Sequence, residues 1–186
     1  GDCVEIRDLL TKDRLRTMNL SHGLQYLHVT ENKVIIRGAK ELFVYDMEDL
    51  DNPDSQFRVL DWEIDAPTNT SRKNVFLSLT STCNGEVAVM PAAVNDVGGM
   101  GGGCHWEYMI HLYNTLTGIQ STIPGCFCAV GPSFVVAARG SAVLVYNITP
   151  DLIPPPPIEM PFSHYDHVKG GCLSSNNKLL AVYSQN

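Results

Sequence analysis

The sequence has no long run of apolar residues. Its uninterrupted apolar stretches are only a few residues long, whereas a transmembrane helix needs about 20. Residues 1–14 are charged and lack the apolar segment of a signal peptide. Charged residues make up only 18% of the 186 residues and apolar residues 44%. This balance predicts a folded domain with a hydrophobic core rather than a disordered chain.

Positive charge is also scarce. The chain has 13 Lys and Arg against 20 Asp and Glu, which gives a formal net charge of −7. Proteins that bind duplex nucleic acid normally carry a basic surface, so direct nucleic-acid binding is not expected. Acidic residues cluster around Asp49, Asp51 and Asp54, which fits either a solvated surface or a contact with a basic partner.

Catalytic signatures are missing as well. The sequence has no nucleophile elbow and no H-E-x-x-H motif. The glycine-rich segment Gly98–Gly103 is followed by no Lys, and its glycines do not follow the G-x-G-x-x-G pattern of a phosphate-binding loop. We therefore expect a non-enzymatic protein without a cofactor or a small-molecule substrate.

Six cysteines are present, at positions 3, 83, 104, 126, 128 and 172. One residue separates Cys126 from Cys128, whereas zinc-binding pairs normally have two to four residues between them. On a strand this spacing places both thiols on one face. The pattern predicts no metal site, and reduced, mostly buried thiols in an intracellular protein of the cytoplasm or nucleus.

Strand signals dominate the rest of the chain. The segment Leu24–Asp46 has three short apolar runs joined by tight turns, which is typical of a β-meander. The same order recurs at Gly125–Asn147, and again at Val75–Asn114 with an expanded second turn. Each meander ends in an aromatic residue followed by Asp or Asn. These pairs are Tyr45-Asp46, Tyr113-Asn114 and Tyr146-Asn147, and Arg7-Asp8 has the same position near the start.

The strand ends at Asp8, Asp46, Asn114 and Asn147 are 38, 68 and 33 residues apart. The long interval contains two extra loops, at about Asp49–Lys73 and Ala92–Trp106. A period of about 40 residues with four strands per unit is typical of a β-propeller. We expect a fourth strand before each meander, at Arg14–Leu20, Phe57–Ile64, Ile119–Ile123 and Ile158–Phe162.

The predicted fold is therefore all-β, with antiparallel blades of four strands. Residues 1–186 form one domain with three complete blades and with terminal strands of a further blade at both ends. The terminal strands fit two arrangements. They are part of a larger propeller, or they combine into a fourth blade.

The last segment, His164–Asn186, resembles the middle of a WD repeat. The match includes His164, Val168 and the run Lys178–Ala181, and Ser21-His22 has the position of the family's Gly-His pair. Tyr-Asp or Tyr-Asn stands where the family has Trp-Asp, and no Trp-Asp dipeptide occurs. The resemblance implies that His22 and His164 are structural turn residues and that the repeated tyrosines pack between blades.

The WD-like resemblance and the missing catalytic motifs together predict a scaffold that binds other proteins within a complex. The residues proposed to contact partners lie in rim loops: Asp49, Asp51, Asp54, His105 and Trp106. Two alternatives remain open. One is a phosphoinositide-binding propeller of membrane trafficking or autophagy, whose early blades Val4–Asp46 resembles, although the defining Phe-Arg-Arg-Gly motif is absent. The other is a non-catalytic subunit of an RNA-modifying or ubiquitin-transferring enzyme.

Overall fold

The computed structural model describes residues 2–20, 23–38, 41–49, 58–61, 73–82, 85–96, 105–149, 151–152, 155–161 and 168–184. The chain divides into two compact units, Gly1–Glu63 and Ile64–Asn186. Apart from a short 3-10 helix at Met47–Asp49, the regular structure of the described residues consists of β-strands. The prediction of an all-β chain is confirmed.

The first unit contains a two-stranded sheet and a four-stranded sheet, both antiparallel. Their strands are β1 (Asp2–Arg7), β2 (Arg14–Leu20), β3 (Tyr26–Val29), β4 (Lys33–Arg37), β5 (Glu41–Asp46) and β6 (Arg58–Asp61). The sheets run β1-β2 and β3-β4-β5-β6. They share a core of Val4, Met18, Val34, Ile36, Phe43 and Tyr45.

The second unit contains three sheets. Its strands are β7 (Lys73–Phe76), β8 (Thr80–Ser81), β9 (Val87–Asp96), β10 (His105–Asn114), β11 (Gln120–Pro124), β12 (Cys126–Val130), β13 (Phe134–Arg139), β14 (Ala142–Asn147), β15 (Ile158–Pro161), β16 (Val168–Leu173) and β17 (Leu180–Ser184). The sheets run β11-β10-β9-β7 with β8 also on β9, then β12-β13-β14-β15, then β16-β17.

Neighbouring sheets of the second unit pack face to face. One core joins Ile110 and Leu112 of β10 to Val135 of β13 and Tyr146 of β14. A second core joins the other face of the β12–β15 sheet to Leu173, Leu180 and Val182 of β16 and β17. The central strands are apolar on both faces because each face is covered by a different sheet.

The three predicted meanders are confirmed as β3–β5, β7–β10 and β12–β14, with two-stranded sheets at either end. The placement of the fourth strand was wrong. Each such strand pairs with the meander that precedes it: β2 with β1, β6 with β5, β11 with β10 and β15 with β14. Antiparallel pairing needs no crossover connection, so the chain can turn back directly onto the strand it has just left.

The predicted loop Ala92–Trp106 was too long. Strands β9 and β10 each have ten residues, and their hairpin continues to the pairs Trp106–Asn95 and His105–Asp96. Ala92 is buried in β9. Only residues 97–104 separate the two strands, and they lie outside the described residues.

Candidate functional site

The tyrosines at the strand ends are buried, as predicted. Tyr45, Tyr113 and Tyr146 expose only 1%, 2% and 6% of their surface. The hydroxyl group of Tyr45 donates a hydrogen bond of 2.8 Å to the backbone carbonyl oxygen of Asp49. These residues hold the sheets together and are not available to a partner.

The polar residues that follow the strand ends organise turns. The Oδ1 atom of Asp8 accepts hydrogen bonds from the backbone N–H groups of Leu10 (2.7 Å) and Thr11 (2.8 Å). The Oδ1 atom of Asn114 accepts the equivalent bonds from Leu116 and Thr117, both at 2.9 Å. A side-chain oxygen that caps the amides two and three residues later is a common turn device.

The same bonding pattern extends through both turns, residues 8–13 and 114–119, which we call the matched turns. The threonine hydroxyl oxygen accepts the backbone N–H two residues later in each turn, from Asp13 at 3.2 Å and from Ile119 at 3.3 Å. Lys12 and Gly118 occupy the same place, with φ angles of 66° and 77°. Since the second turn joins β10 to β11, the first identifies β1 and β2 as the third and fourth strands of a blade.

Replacing Lys12 with glycine is expected to stabilise the protein. The left-handed backbone costs a non-glycine residue about 1–2 kcal/mol, and glycine gives back about 0.5–1 kcal/mol through the entropy of the unfolded chain. We expect the free energy of unfolding to rise by about 0.5–1 kcal/mol in urea denaturation. Gly118→Lys, the reciprocal control, should lower it. A Lys12→Gly variant less stable than the wild type would contradict this account of the turn.

Asp8 makes this turn sensitive to acid. The backbone hydrogen bonds from Thr11 and then Leu10 hold its pKa below the ordinary value of 3.8. A lowered pKa in the folded state contributes stability above the unfolded-state pKa, and this contribution is lost as the pH falls through the folded-state pKa. The variant Asp8→Asn keeps the acceptor oxygen and removes the titration. Its melting temperature should fall less than that of the wild type between pH 5 and about pH 2, and equal acid sensitivity would count against this role.

The polar residues at the other two strand ends, Asp46 and Asn147, have different surroundings from Asp8 and Asn114. Asp46 forms an ion pair with the Nζ atom of Lys33, which lies opposite it on β4. Asn147 is exposed at the end of β14. The histidines His22 and His164 lie outside the described residues, so their structural role remains a prediction.

The proposed partner-binding residues are only partly described. Asp49 is exposed at the end of the 3-10 helix. Asp51 and Asp54 lie outside the described residues, whereas the backbones of His105 and Trp106 belong to β10. Their roles in binding remain predictions.

Most described cations of the first unit have anionic or aromatic neighbours. Glu5 binds Arg7 at 2.8 Å and lies 3.9 Å from Arg14. Arg37 is buried; its Nη1 atom donates a 2.7 Å hydrogen bond to Gln25, and its guanidinium lies 5.9 Å from the Tyr26 ring centroid. Burial lowers the pKa of Arg37 to about 10, so it remains charged at neutral pH.

Three further exposed cations of the described chain are Lys12, Arg139 and Lys178, and Lys12 shares the β1-β2 hairpin with the exposed Arg7 and Arg14. Lys12 is in the first matched turn, Arg139 ends β13 and Lys178 precedes β17. The only group among these cations is the one on the β1-β2 hairpin, and Glu5 is an anionic neighbour of both of its exposed arginines.

The cysteines follow the prediction only in part. Cys126 and Cys128 pack on the same face of β12, as expected. Burial, assisted by Cys126, raises the pKa of Cys128 to about 11, so its thiol is not a nucleophile at neutral pH. Cys3 and Cys172 are free and exposed, which contradicts the prediction of mostly buried thiols. Both lie in two-stranded sheets, β1-β2 and β16-β17, in which no other described sheet covers the face that carries the thiol.

No described residues form a group of three or more metal-type ligands. Cys83 and Cys104 lie outside the described residues. No helix in the described ranges is long and apolar enough to cross a membrane.

The solved structures that share this fold include the following two. The first is KlAtg21 in complex with the coiled-coil of AgAtg16, with a TM-score of 0.54 and 14% identity, over 98% of this chain and 56% of that one. The second is Hsv2 of Kluyvelomyces marxianus, with a TM-score of 0.52 and 14% identity, over 98% of this chain and 50% of that one. No family model and no curated protein matches the sequence. The fold is a partial β-propeller, and the chain spans about half the length of these proteins.

Proposed function

We propose that the protein is a non-catalytic propeller of the phosphoinositide-recognising class. The observation that carries this proposal is the match of 98% of the chain to Atg21 and Hsv2, which are propellers of this class. The match favours this alternative over a scaffold without lipid affinity. Because fold alone does not determine function, the proposal depends on a direct binding test.

The charges of the described residues determine how such binding would work. A net charge of −7 disfavours general attraction to an anionic membrane, which depends on clusters of Lys and Arg, and Glu5 accompanies the exposed arginines of the β1-β2 hairpin. Recognition would therefore require contacts specific to the phosphorylated headgroup.

Vesicle flotation distinguishes general charge attraction from recognition of the phosphorylated headgroup. Phosphatidylcholine vesicles that contain phosphatidylinositol 3-phosphate are compared with vesicles brought to the same charge by phosphatidylserine. We expect the protein to float mainly with the first kind. Equal recovery with both kinds, or recovery with neither, would contradict headgroup recognition.

Three single variants provide the control. Lys12→Gln, Arg139→Gln and Lys178→Gln each remove one exposed charge from a different turn. Binding through general charge would weaken by a similar amount in all three variants. Under the proposed headgroup recognition, the three single changes should not produce such a uniform loss.

Protein binding is a second candidate, because the matched Atg21 was solved with a coiled-coil of Atg16. The acidic residues Asp49, Asp51 and Asp54 suit a helical partner with a basic face. Isothermal titration calorimetry with the AgAtg16 coiled-coil tests this role. We expect the triple Asp→Asn variant to bind at least about tenfold more weakly, and Glu159→Gln, an exposed acid on β15, to bind like the wild type. Absence of binding by the wild type would contradict the role.

The hairpin β9–β10 allows a separate test of His105 and Trp106. Replacing residues 97–104 with Asn-Gly, a strong two-residue hairpin turn, keeps both strands and their register. We expect a folded protein, and loss of coiled-coil binding if this end of the hairpin contributes to the interface. Unchanged binding would remove the hairpin tip from the candidate surface.

A further inference from the structure

A run of four prolines, residues 154–157, stands between β14 and β15. The structure describes the last three, of which Pro155 and Pro156 are exposed and Pro157 is half-buried. Strand β15 begins directly after them at Ile158, which is 59% exposed. The second unit therefore presents four consecutive apolar residues, none of which is buried.

The sheet does not require this run. Residues 148–157 join the antiparallel neighbours β14 and β15, whereas residues 115–119 are enough to join the corresponding strands β10 and β11. The pairing of β15 with β14 begins only at Ile158 and Val145, so the prolines take no part in the ladder. A proline also has no backbone N–H to donate to a neighbouring strand. The connection is longer than closure of the sheet demands.

The chain is fixed on both sides of the run. Leu152 is 2% exposed and belongs to the core that includes Leu144 and Tyr146 of β14. Its φ angle of 51° is unusual for a bulky residue, and its N–H donates a 2.9 Å hydrogen bond to the carbonyl oxygen of Thr149. Because Leu152 is held in the core and Ile158 is paired with β14, the described prolines between them stay at the surface.

Consecutive prolines favour an extended conformation. Each ring holds φ near about −65°, and a residue that precedes a proline is restricted to extended backbone. Such a chain has little freedom left to lose on binding, and proline-rich segments are recognised by grooves lined with aromatic side chains. The chain bends at Pro156, and docking in a groove would straighten it.

The charges around the run are negative. Asp151 and Glu159 flank it and are exposed, and residues 140–163 contain no Lys, Arg or His. The preceding cation in the sequence, Arg139, pairs with Ala142 at the end of β14 away from the run. A groove with Lys or Arg on its rim complements this segment, whereas an acidic rim would repel it.

We propose that residues 155–158 bind a partner domain that has an aromatic-lined groove with a basic rim. The prolines and Ile158 fill the groove, and Asp151 and Glu159 face the rim. This contact is independent of lipid binding and of coiled-coil binding.

Isothermal titration calorimetry with two probe domains tests the proposal. The first is an EVH1 domain with lysines beside its groove, and the second is an SH3 domain with an acidic groove rim; domains of both kinds bind proline-rich segments. We expect the folded 186-residue chain to bind the EVH1 domain, and to bind the SH3 domain at least about tenfold more weakly. Absence of EVH1 binding would overturn the proposal, and so would equal binding of both domains.

A double variant locates the contact. Pro155→Ala combined with Pro156→Ala should weaken EVH1 binding by at least about tenfold, because two side chains that fill the groove are lost. Pro132→Ala, at an exposed proline of the turn between β12 and β13, should bind like the wild type. Unchanged circular dichroism shows that each variant is folded. Equal binding by the wild type and the double variant would contradict the proposed contact.

A synthetic peptide of residues 150–161 tests whether the fold presents the run. We expect the peptide to compete with the folded protein for the EVH1 domain. An EVH1 domain that binds the peptide but not the folded protein would show that the run is inaccessible, which would also overturn the proposal. Asp151→Asn combined with Glu159→Gln should weaken binding by roughly two- to fivefold, the usual effect of exposed charges, and unchanged binding would contradict the basic rim.

Discussion

The variant Tyr45→Ala is expected to lower the free energy of unfolding by about 3–5 kcal/mol, the usual cost of removing a buried aromatic ring. Tyr45 is 1% exposed and belongs to the core that joins β1 and β2 to β4 and β5. Its ring also lies 5.6 Å from the Arg16 guanidinium. Truncation leaves a cavity between the two sheets. Neither sheet can move into this cavity without losing hydrogen bonds between its own strands. Urea denaturation followed by circular dichroism measures the effect.

Two controls separate the contributions to this effect. Tyr45→Phe keeps the ring and removes the hydrogen bond to Asp49, so it should cost only about 1 kcal/mol. Tyr108→Ala removes a tyrosine that is 42% exposed and should cost much less than Tyr45→Ala. If Tyr45→Ala and Tyr108→Ala cost the same, the aromatic strand ends do not hold the sheets together.

The repeated tyrosines were the most reliable sequence signal. A blade cannot bury both faces alone, so a large apolar ring at the same place in each repeat must lie between sheets. That constraint predicted the burial of Tyr45, Tyr113 and Tyr146. It does not specify which neighbour a fourth strand joins, because a repeat period is unchanged when a strand is assigned to the preceding or the following unit.

In the second unit, the edge strand that pairs with β9 is interrupted and forms two pieces, β7 and β8. Pro91 of β9 is the local cause of this interruption. Its carbonyl oxygen accepts the backbone N–H of Leu77 at 2.9 Å, so its own nitrogen, which carries no hydrogen, faces the same edge of β9. The ladder on that edge is interrupted between Phe76, paired with Ala92, and Thr80, paired with Val89. A proline within a strand normally indicates such an interruption, and this signal was present in the sequence.

The matched turns were also readable from the sequence. Both have Asp or Asn, then Thr three residues later, then the residue with positive φ. The exposure of apolar side chains on β3 (Leu27 and Val29) and on β15 (Ile158 and Met160) was not readable in this way. Tyr26–Val29 and Ile158–Pro161 have the apolar character of covered strands, and their exposure depends on the number of strands in the neighbouring sheets β1-β2 and β16-β17. No local pattern contains that information.

The variant Gly125→Ala is expected to cost about 3–5 kcal/mol, from backbone strain and steric overlap together. Gly125 joins β11 to β12 with a φ angle of 129°, a region that residues with a Cβ atom rarely adopt. An added Cβ atom would lie 2.8 Å from the carbonyl oxygen of Ala138, which is backbone within a paired strand and cannot move away cheaply. The N–H of Gly125 also donates a 2.9 Å hydrogen bond to the carbonyl oxygen of Tyr108, which fixes its position from the other side.

Gly118→Ala is the matched control. Gly118 also has a positive φ, but an added Cβ atom would meet only the Tyr113 hydroxyl oxygen, at an ordinary 3.5 Å. It should therefore cost only the backbone strain of about 1–2 kcal/mol less the entropy that glycine adds to the unfolded chain, a net of about 0.5–1 kcal/mol. Urea denaturation of both variants measures the difference. A cost for Gly125→Ala no greater than that for Gly118→Ala would show that Gly125 is not held close to the backbone of Ala138 in β13.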